Sequence, residues 1–289
     1  MLLVTGITGL TGRFLYSEIV RNGKAGSLRC LVRKNSDLSW IDGSMPELVY
    51  GDANNISDLA EAMKGVSGVI HLVNIRCSPQ VIEACKIAGV KRVVFVNTTG
   101  MYSKYQAYSG LYRQLEEKIF ASGLDYTIIR PTMIYGNQLD KNINKLVRLI
   151  NRLPVFPVVG DGKSLMQPVY AGDLARVIYQ AYKSSRAVGK DYNVAGKEPL
   201  SYYEILYQIA SALGKKRFFV RIPYRLALIA GKLGDIIPNG LVNLEKIRRL
   251  SEDKVFDYSK AKHHLDYNPI PFQEGIKLEI KALRSVGMI

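Results

Sequence analysis

Three closely spaced glycines constrain this chain more than any other feature. The run TGITGLTG, residues 5–12, carries Gly6, Gly9 and Gly12 and follows directly on the apolar segment Leu2–Thr5. In a strand-to-helix junction of this kind, the first glycine permits a sharp turn and the second lets the backbone approach a bulky anion. The third lets helix and strand pack closely. The free N–H groups and the positive dipole end of the following helix favour phosphate. The loop, with Thr8, Leu10, Thr11 and Arg13 completing it, is therefore predicted to cradle the pyrophosphate of a dinucleotide. A tight turn that binds nothing is the plainer alternative.

The rest of the first half fits that reading. Apolar segments suited to strands lie at Leu2–Thr5, Leu28–Val32, Glu47–Tyr50, Gly68–Val73, Arg92–Val96 and Tyr126–Ile129, with helical stretches near 11–22, 56–64, 78–88, 109–121 and 142–152. Such alternation predicts βαβ units, and strands apolar throughout predict a sheet covered on both faces. After residue 135 the rhythm changes. The segment LPVFPVVGDGKS (153–164) leads to a helix opening near Gly172-Asp173, a strand at Asp191–Val194, a helix at 202–213, a basic segment and a mostly irregular C-terminus. The expected fold is α/β: a doubly wound parallel sheet in residues 1–135 plus 172–196. A smaller, partly interwoven C-terminal substrate lobe takes residues 136–171 plus 197–289.

Composition excludes several classes. The chain has 289 residues and three cysteines, Cys30, Cys77 and Cys85, without the spacing of a disulfide framework or thiolate zinc site. With three histidines, no metal centre is expected. No apolar run approaches the roughly 18 residues of a membrane span, and no signal peptide is read, so a cytoplasmic location is expected. Forty Lys+Arg against 25 Asp+Glu give a net charge of +15. This excess is spread out and lacks basic–aromatic interleaving, which argues against nucleic acid and for a phosphorylated small molecule or an anionic membrane surface. FFVRIPYRLALIAGKLGDII (218–237), apolar with interleaved cations, reads as a core helix or as a peripheral contact with an anionic membrane.

Later segments carry a family resemblance. The GxxGxxG spacing resembles the short-chain dehydrogenase/reductase superfamily, and YTIIRPTMIYG (126–136), QPVYAGDLA (167–175), DYNVAG (191–196) and FDYSKAKHHLDYNP (256–269) resemble its extended branch of NAD-dependent epimerases and dehydratases. The resemblance implies a Rossmann-like domain, in which Asp52 after the third strand contacts the adenine and Asn74 faces the nicotinamide ribose. It also implies that Arg248 and Arg249 clamp a nucleotide diphosphate. A strand-end turn at Asn74 and a solvated arginine pair are the competing readings. His71, inside an apolar strand, reads as a core histidine.

The chain departs from the family at its Tyr-x-x-x-Lys pattern. Counting back from Ser122-Gly123-Leu124, Glu116 takes the family's glutamate position, Tyr108 the catalytic tyrosine and Tyr112 the place of the lysine. A tyrosine with a reference pKa near 10 needs a neighbouring cation to exchange a proton near neutral pH. Lys104, Arg113 and Lys118 are the available substitutes, and helical geometry puts Arg113 and Lys118 off Tyr112's face. Thr98 aligns with the family's catalytic hydroxyl and Thr99 is the next candidate for contact with substrate. Capping of the following turn is the alternative for these threonines, and core packing for Tyr108.

The second strand bears on cofactor choice. LRCLVRKNSD places Arg33 and Lys34 where NAD-specific members carry an acid, with Arg13 able to approach; Asp37 comes later. NADP is expected, with NAD the alternative. The implied activity is that of an NAD(P)-dependent epimerase, dehydratase or reductase of a nucleotide-linked or lipid-linked sugar. A catalytically silent NADP-binding sensor or assembly factor is the other reading. The oligomeric state is left open, a homodimer included.

Overall fold

The computed structural model describes residues 1–41, 46–236 and 244–289. Residues 42–45 and 237–243, within the first and second expected units respectively, lie outside it, as does the last residue of the 218–237 stretch. Seven parallel strands form the central sheet: β1 (Leu2–Thr5), β2 (Leu28–Val32), β3 (Glu47–Tyr50), β4 (Gly68–His71), β5 (Arg92–Val96), β6 (Asp125–Pro131) and, from much later in the chain, a strand at Lys190–Val194. The order across the sheet is that late strand, then β6, β5, β4, β1, β2 and β3. Strand order therefore reverses between β1 and β4, which opens a crevice beyond their C-terminal ends, where ligands of such sheets bind.

Alternation along each strand distributes apolar side chains to two cores. Val4, Cys30, Ile70, Val94 and Ile129 join one cluster, whereas Leu3, Leu31, Val69, Val93 and Ile128 join the other. The first is covered by α1 (Leu10–Arg21) through Leu15 and Ile19. The second is covered by α2 (Ile56–Ala62), α3 (Ser78–Ala88) and α4 (Ser109–Phe120) through Leu59, Val81, Leu115 and Ile119. All three cysteines are buried and unpaired.

The remaining elements are β7 (Ile134–Tyr135), α5 (Ile143–Arg152), β8 (Val155–Val159), β9 (Leu165–Met166), β10 (Val169–Tyr170), α6 (Ala171–Lys183), β11 (the Lys190–Val194 strand), β12 (Leu200–Ser201), α7 (Tyr202–Ala212), β13 (Phe218–Ile222), α8 (Tyr224–Ile236), α9 (Leu244–Leu250), α10 (Ser259–Leu265) and α11 (Phe272–Ser285). Helix α6 returns to α1's core through Leu174 and Ile178, while a third core gathers α5, β8, α7 and α11. Helix α7 opens on a capping box in which Ser201 and Glu204 satisfy each other's backbone N–H groups.

Two expectations are corrected. The C-terminus is not mostly irregular. Phe272, Ile276, Ile280 and Leu283 line one face of α11 and are buried, each contributing roughly 1.5–3 kcal/mol of burial as an upper bound. Nor is 218–237 one core helix. Its first five residues form β13, paired in parallel with β8, and its outer face is exposed.

Candidate functional site

The glycine loop leaves β1 at the switch point. Gly6 has φ +80, a conformation that side-chain-bearing residues rarely adopt, and a Cβ at Gly12 would lie 2.3 Å from the Gly6 carbonyl oxygen. Both glycines are required by the protein's own packing. Gly9 differs: a Cβ there would meet only the Gly6 oxygen, at 3.4 Å. The N-cap of α1 is thus a glycine that the fold does not require. Gly9 offers no capping side chain, and the first turn contains no acid. A backbone stripped of side chain at a helix N-terminus suits a pyrophosphate.

Beside this loop lies the segment after β2. A tight turn, with Ser36 N–H donating to the Arg33 carbonyl at 2.9 Å, brings Asp37 back against Arg13. Their Nη2 and Oδ2 atoms are 3.1 Å apart, and the Arg13 guanidinium stacks 4.8 Å from the Trp40 ring centroid. Asp37, which follows the strand end too late in sequence to stand in for the family's acid, is therefore returned to the loop in space. Arg33 and Lys34 are exposed. Hydrogen bonds from Asn54, reinforced by the Arg33 charge, hold the Asp52 carboxyl below the usual range.

A cleft of about 230 Å³ joins Thr11 of the loop to Asn74 after β4, Asn97 and Thr98 after β5, and Tyr112 of α4. Thr98 accepts from the Gly100 N–H at 3.0 Å, so it caps the following turn while facing the cleft. Thr99 is buried and donates its hydroxyl to the Pro131 carbonyl at 3.1 Å, which commits it to the fold. Asn74 accepts from Arg76 N–H at 3.0 Å. Among the described residues the buried Asn97 Oδ1 has no hydrogen-bond partner. An orphaned acceptor in a cleft next to a bare glycine loop fits a polar ligand there.

The structure separates the two tyrosines. Tyr112 lines the cleft, whereas Tyr108 is the N-cap of α4, 49% exposed, and does not line it. The Arg76 guanidinium lies 4.0 Å from the Tyr108 ring centroid, close enough for a cation–π contact. Arg113, one candidate substitute for the missing lysine, instead donates to the Met101 carbonyl at 2.7 Å. Nothing in the sequence points to Arg76, because it stands 32 positions from Tyr108 and only the fold joins them.

Glu116 anchors the tyrosine helix to the sheet. It is 1% exposed, accepts two hydrogen bonds from Arg130 Nε at 2.8 and 3.0 Å, and also accepts from Asn97. Arg130 continues to Asp191 at 2.6 Å, and Lys260 lies 3.4 Å from that carboxylate. Burial opposes the Arg130 charge, but the hydrogen bonds from its guanidinium to Glu116 prevail and raise its pKa. His71 is fully buried, with Nδ1 2.8 Å from the Thr5 hydroxyl; burial lowers its pKa to about 4. It is a core histidine.

In the second lobe Arg249 lies 3.8 Å from Glu245, one helical turn away, and Arg248 is exposed. A separate cleft of about 200 Å³ is lined by Val159, Gly160, Asp161, Ser164 and Tyr224 together with Leu250 and Ser251, which follow this arginine pair. Among the described residues no group of three or more His, Cys, Asp or Glu could hold a metal.

These features define a dinucleotide-binding α/β protein. Residues 6–154 match the NAD(P)H-binding family model, and residues 118–223 match that of the 3-beta hydroxysteroid dehydrogenase/isomerase family. The chain belongs to the NAD(P)-binding extended short-chain dehydrogenase/reductase, or epimerase/dehydratase, family. It is 25% identical to a 3beta-hydroxysteroid-dehydrogenase/decarboxylase of Arabidopsis thaliana, covering 82% of this chain but spanning only 66% of that protein's length. It is 23% identical to an N-acetyl-alpha-D-glucosaminyl-diphospho-ditrans,octacis-undecaprenol 4-epimerase of Escherichia coli O157:H7, covering 80% of this chain and 82% of the relative. A nucleoside-diphosphate-sugar epimerase from Pseudomonas aeruginosa superposes with a TM-score of 0.81 over 100% of this chain and 98% of the other, at 18% identity, a likeness of fold.

Proposed function

We propose that this chain is an NADP(H)-dependent epimerase, dehydratase or reductase of a nucleotide-linked sugar, with a lipid-linked sugar as the variant substrate. One observation carries the reading: a single cleft brings together the glycine loop, the end of β5 and the α4 helix through Thr11, Thr98 and Tyr112. The nicotinamide, when bound, supplies the hydride chemistry. Free backbone N–H groups at the start of α1, ahead of the first helical bond from Arg13 N–H to the Gly9 carbonyl, hold the pyrophosphate, while Asp52 meets the adenine and Asn74 the second ribose. Arg33 and Lys34, with Arg13, take the 2′-phosphate as charge-assisted hydrogen bonds. Thr98 holds the substrate oxygen at which charge develops, Tyr108 exchanges its proton, and Arg248 and Arg249 grip the substrate diphosphate. Residues 1–135 plus 172–196 serve as the cofactor unit in this reading, supported by the pairing of β11 with β6 and the packing of α6 on α1. Absorbance near 340 nm, followed with a panel of UDP- and dTDP-sugars, tests it, and no cofactor turnover with any of them would overturn it.

A second reading has its own support. Tyr112 lines the cleft in the place of the family's lysine, and Tyr108 does not line it. That arrangement favours a catalytically silent NADP-binding sensor or assembly factor. Tight cofactor binding without turnover would select it.

A further inference from the structure

Two stretches of sequence are strongly one-sided in charge. Residues 141–160 hold four Lys/Arg and residues 205–234 hold six, with no Asp or Glu in either. The fold lays them side by side. Strand β13 pairs with β8 so that Phe218 stands opposite Val155 and Val220 opposite Pro157. The alternate residues, Phe156 and Val158, point into the third core. The outward row is bare: Phe218 is 73% exposed and Val220 52%. The chain then enters α8 directly, where Leu226 and Ile229, one turn apart, are 58% and 56% exposed. An apolar patch of this kind marks an interaction surface.

Cations border it and some are fixed in place. Arg217 Nε donates to the Ile150 carbonyl at 2.6 Å and Lys215 Nζ to the Asn151 carbonyl at 2.8 Å, so both are held at the C-terminal end of α5. Arg221 and Arg225 are exposed between and beyond the apolar residues. Two copies of this face would oppose like charges across an apolar contact, which disfavours self-association. A nucleic acid would leave the aromatic and aliphatic centre without a partner. An anionic bilayer satisfies both parts, since its headgroups meet the cations and its acyl boundary takes the apolar side chains.

We infer that the outer face of β8, β13 and α8 docks peripherally on an anionic lipid surface, with Phe218, Val220, Leu226 and Ile229 entering the headgroup region. Among the described residues no helix is long and apolar enough to cross a membrane. The inference stands apart from the catalytic reading, because none of these residues lines the cleft of the glycine loop.

Flotation of the full chain with vesicles tests it. The protein should float with equimolar phosphatidylglycerol and phosphatidylcholine, stay behind with phosphatidylcholine alone, and detach progressively as salt rises. The double substitution Phe218→Asp/Val220→Asp should weaken binding at least about tenfold, and Leu226→Gln/Ile229→Gln, on a different element, should weaken it independently. Circular dichroism and melting should match the wild type for both. Equal binding to the two vesicle types, no binding to either, or variants that bind like the wild type would overturn the inference. So would a concentration-dependent dimer abolished by either double substitution, which would assign the face to a second copy.

Discussion

Arg13 and Asp37 face each other at 3.1 Å beside the glycine loop, although 24 residues separate them in sequence. A carboxylate on the one arginine that follows the third glycine competes for the charge a 2′-phosphate would use. The site thus contains both a cationic set, Arg13, Arg33 and Lys34, and a nearby acid.

Cofactor choice should reflect that balance. NADP(H) is expected to bind at least about tenfold tighter than NAD(H) at low salt, and Arg33→Ala to remove most of the difference while sparing NAD(H) affinity. Asp37→Asn should widen the preference, since it releases Arg13 toward the phosphate. Calorimetric titration of both cofactors checks this, and tighter NAD(H) binding by the wild type would reverse the assignment.

The tyrosine helix gives a second expectation. Tyr108→Phe should lower turnover by at least about a hundredfold while leaving cofactor affinity nearly unchanged. Tyr112→Lys, which restores a cation one helical turn away, should raise turnover. Steady-state rates compared with cofactor titrations separate the two effects, and an active Tyr108→Phe variant would sink the role.

Two glycines of one loop should respond differently. Gly9→Ala should leave melting close to wild type, because a Cβ there meets only the Gly6 oxygen at 3.4 Å, while the bulkier Gly9→Val should weaken cofactor binding at least about tenfold. Gly12→Ala should destabilise the fold itself, because its Cβ would fall 2.3 Å from the same oxygen. Equal cofactor affinity in a folded Gly9→Val protein would place the pyrophosphate elsewhere.

Removing Glu116 should be costly. Its loss leaves Arg130 buried with Asp191 as its remaining carboxylate, and breaking a buried pair costs about 3–5 kcal/mol. Urea denaturation of Glu116→Ala should show a loss of that order; a change below about 1 kcal/mol would mean that water replaces the carboxylate.

Stability should narrow from both sides of the pH scale. Burial depresses the folded His71 pKa from 6.5 to about 4, so stability is retained above 6.5 and lost as pH falls through that window. Burial, then the Asp140 charge, raises Glu279 from 4.5 to about 9, so stability is full below 4.5 and lost as pH rises toward 9. Glu279→Gln should therefore raise stability at pH 8 by roughly 2–4 kcal/mol and change little near pH 4.5, at ~1.4 kcal/mol per unit of pH. Melting across pH reads both limbs, and an unchanged alkaline limb in the variant would acquit Glu279.

The sequence alone determined the elements whose cause is local. The glycine loop, the six early strands and the helices between them were legible because short apolar runs, glycine spacing and helical periodicity act within a few residues. The family followed from the glycine spacing together with the later segments 126–136, 167–175, 191–196 and 256–269. Less was read at the C-terminus: Phe272, Ile276, Ile280 and Leu283 recur at helical spacing, but what that face packs against appears only when α5, β8 and α7 supply its partner surface. Only the tertiary structure decided that Asp37 reaches Arg13, that Arg76 stacks on Tyr108, that Tyr112 lines the cleft, and that β13 turns Phe218 outward beside β8. Each depends on segments that the sheet brings together from distant parts of the chain, and spacing in sequence carries no record of those distances.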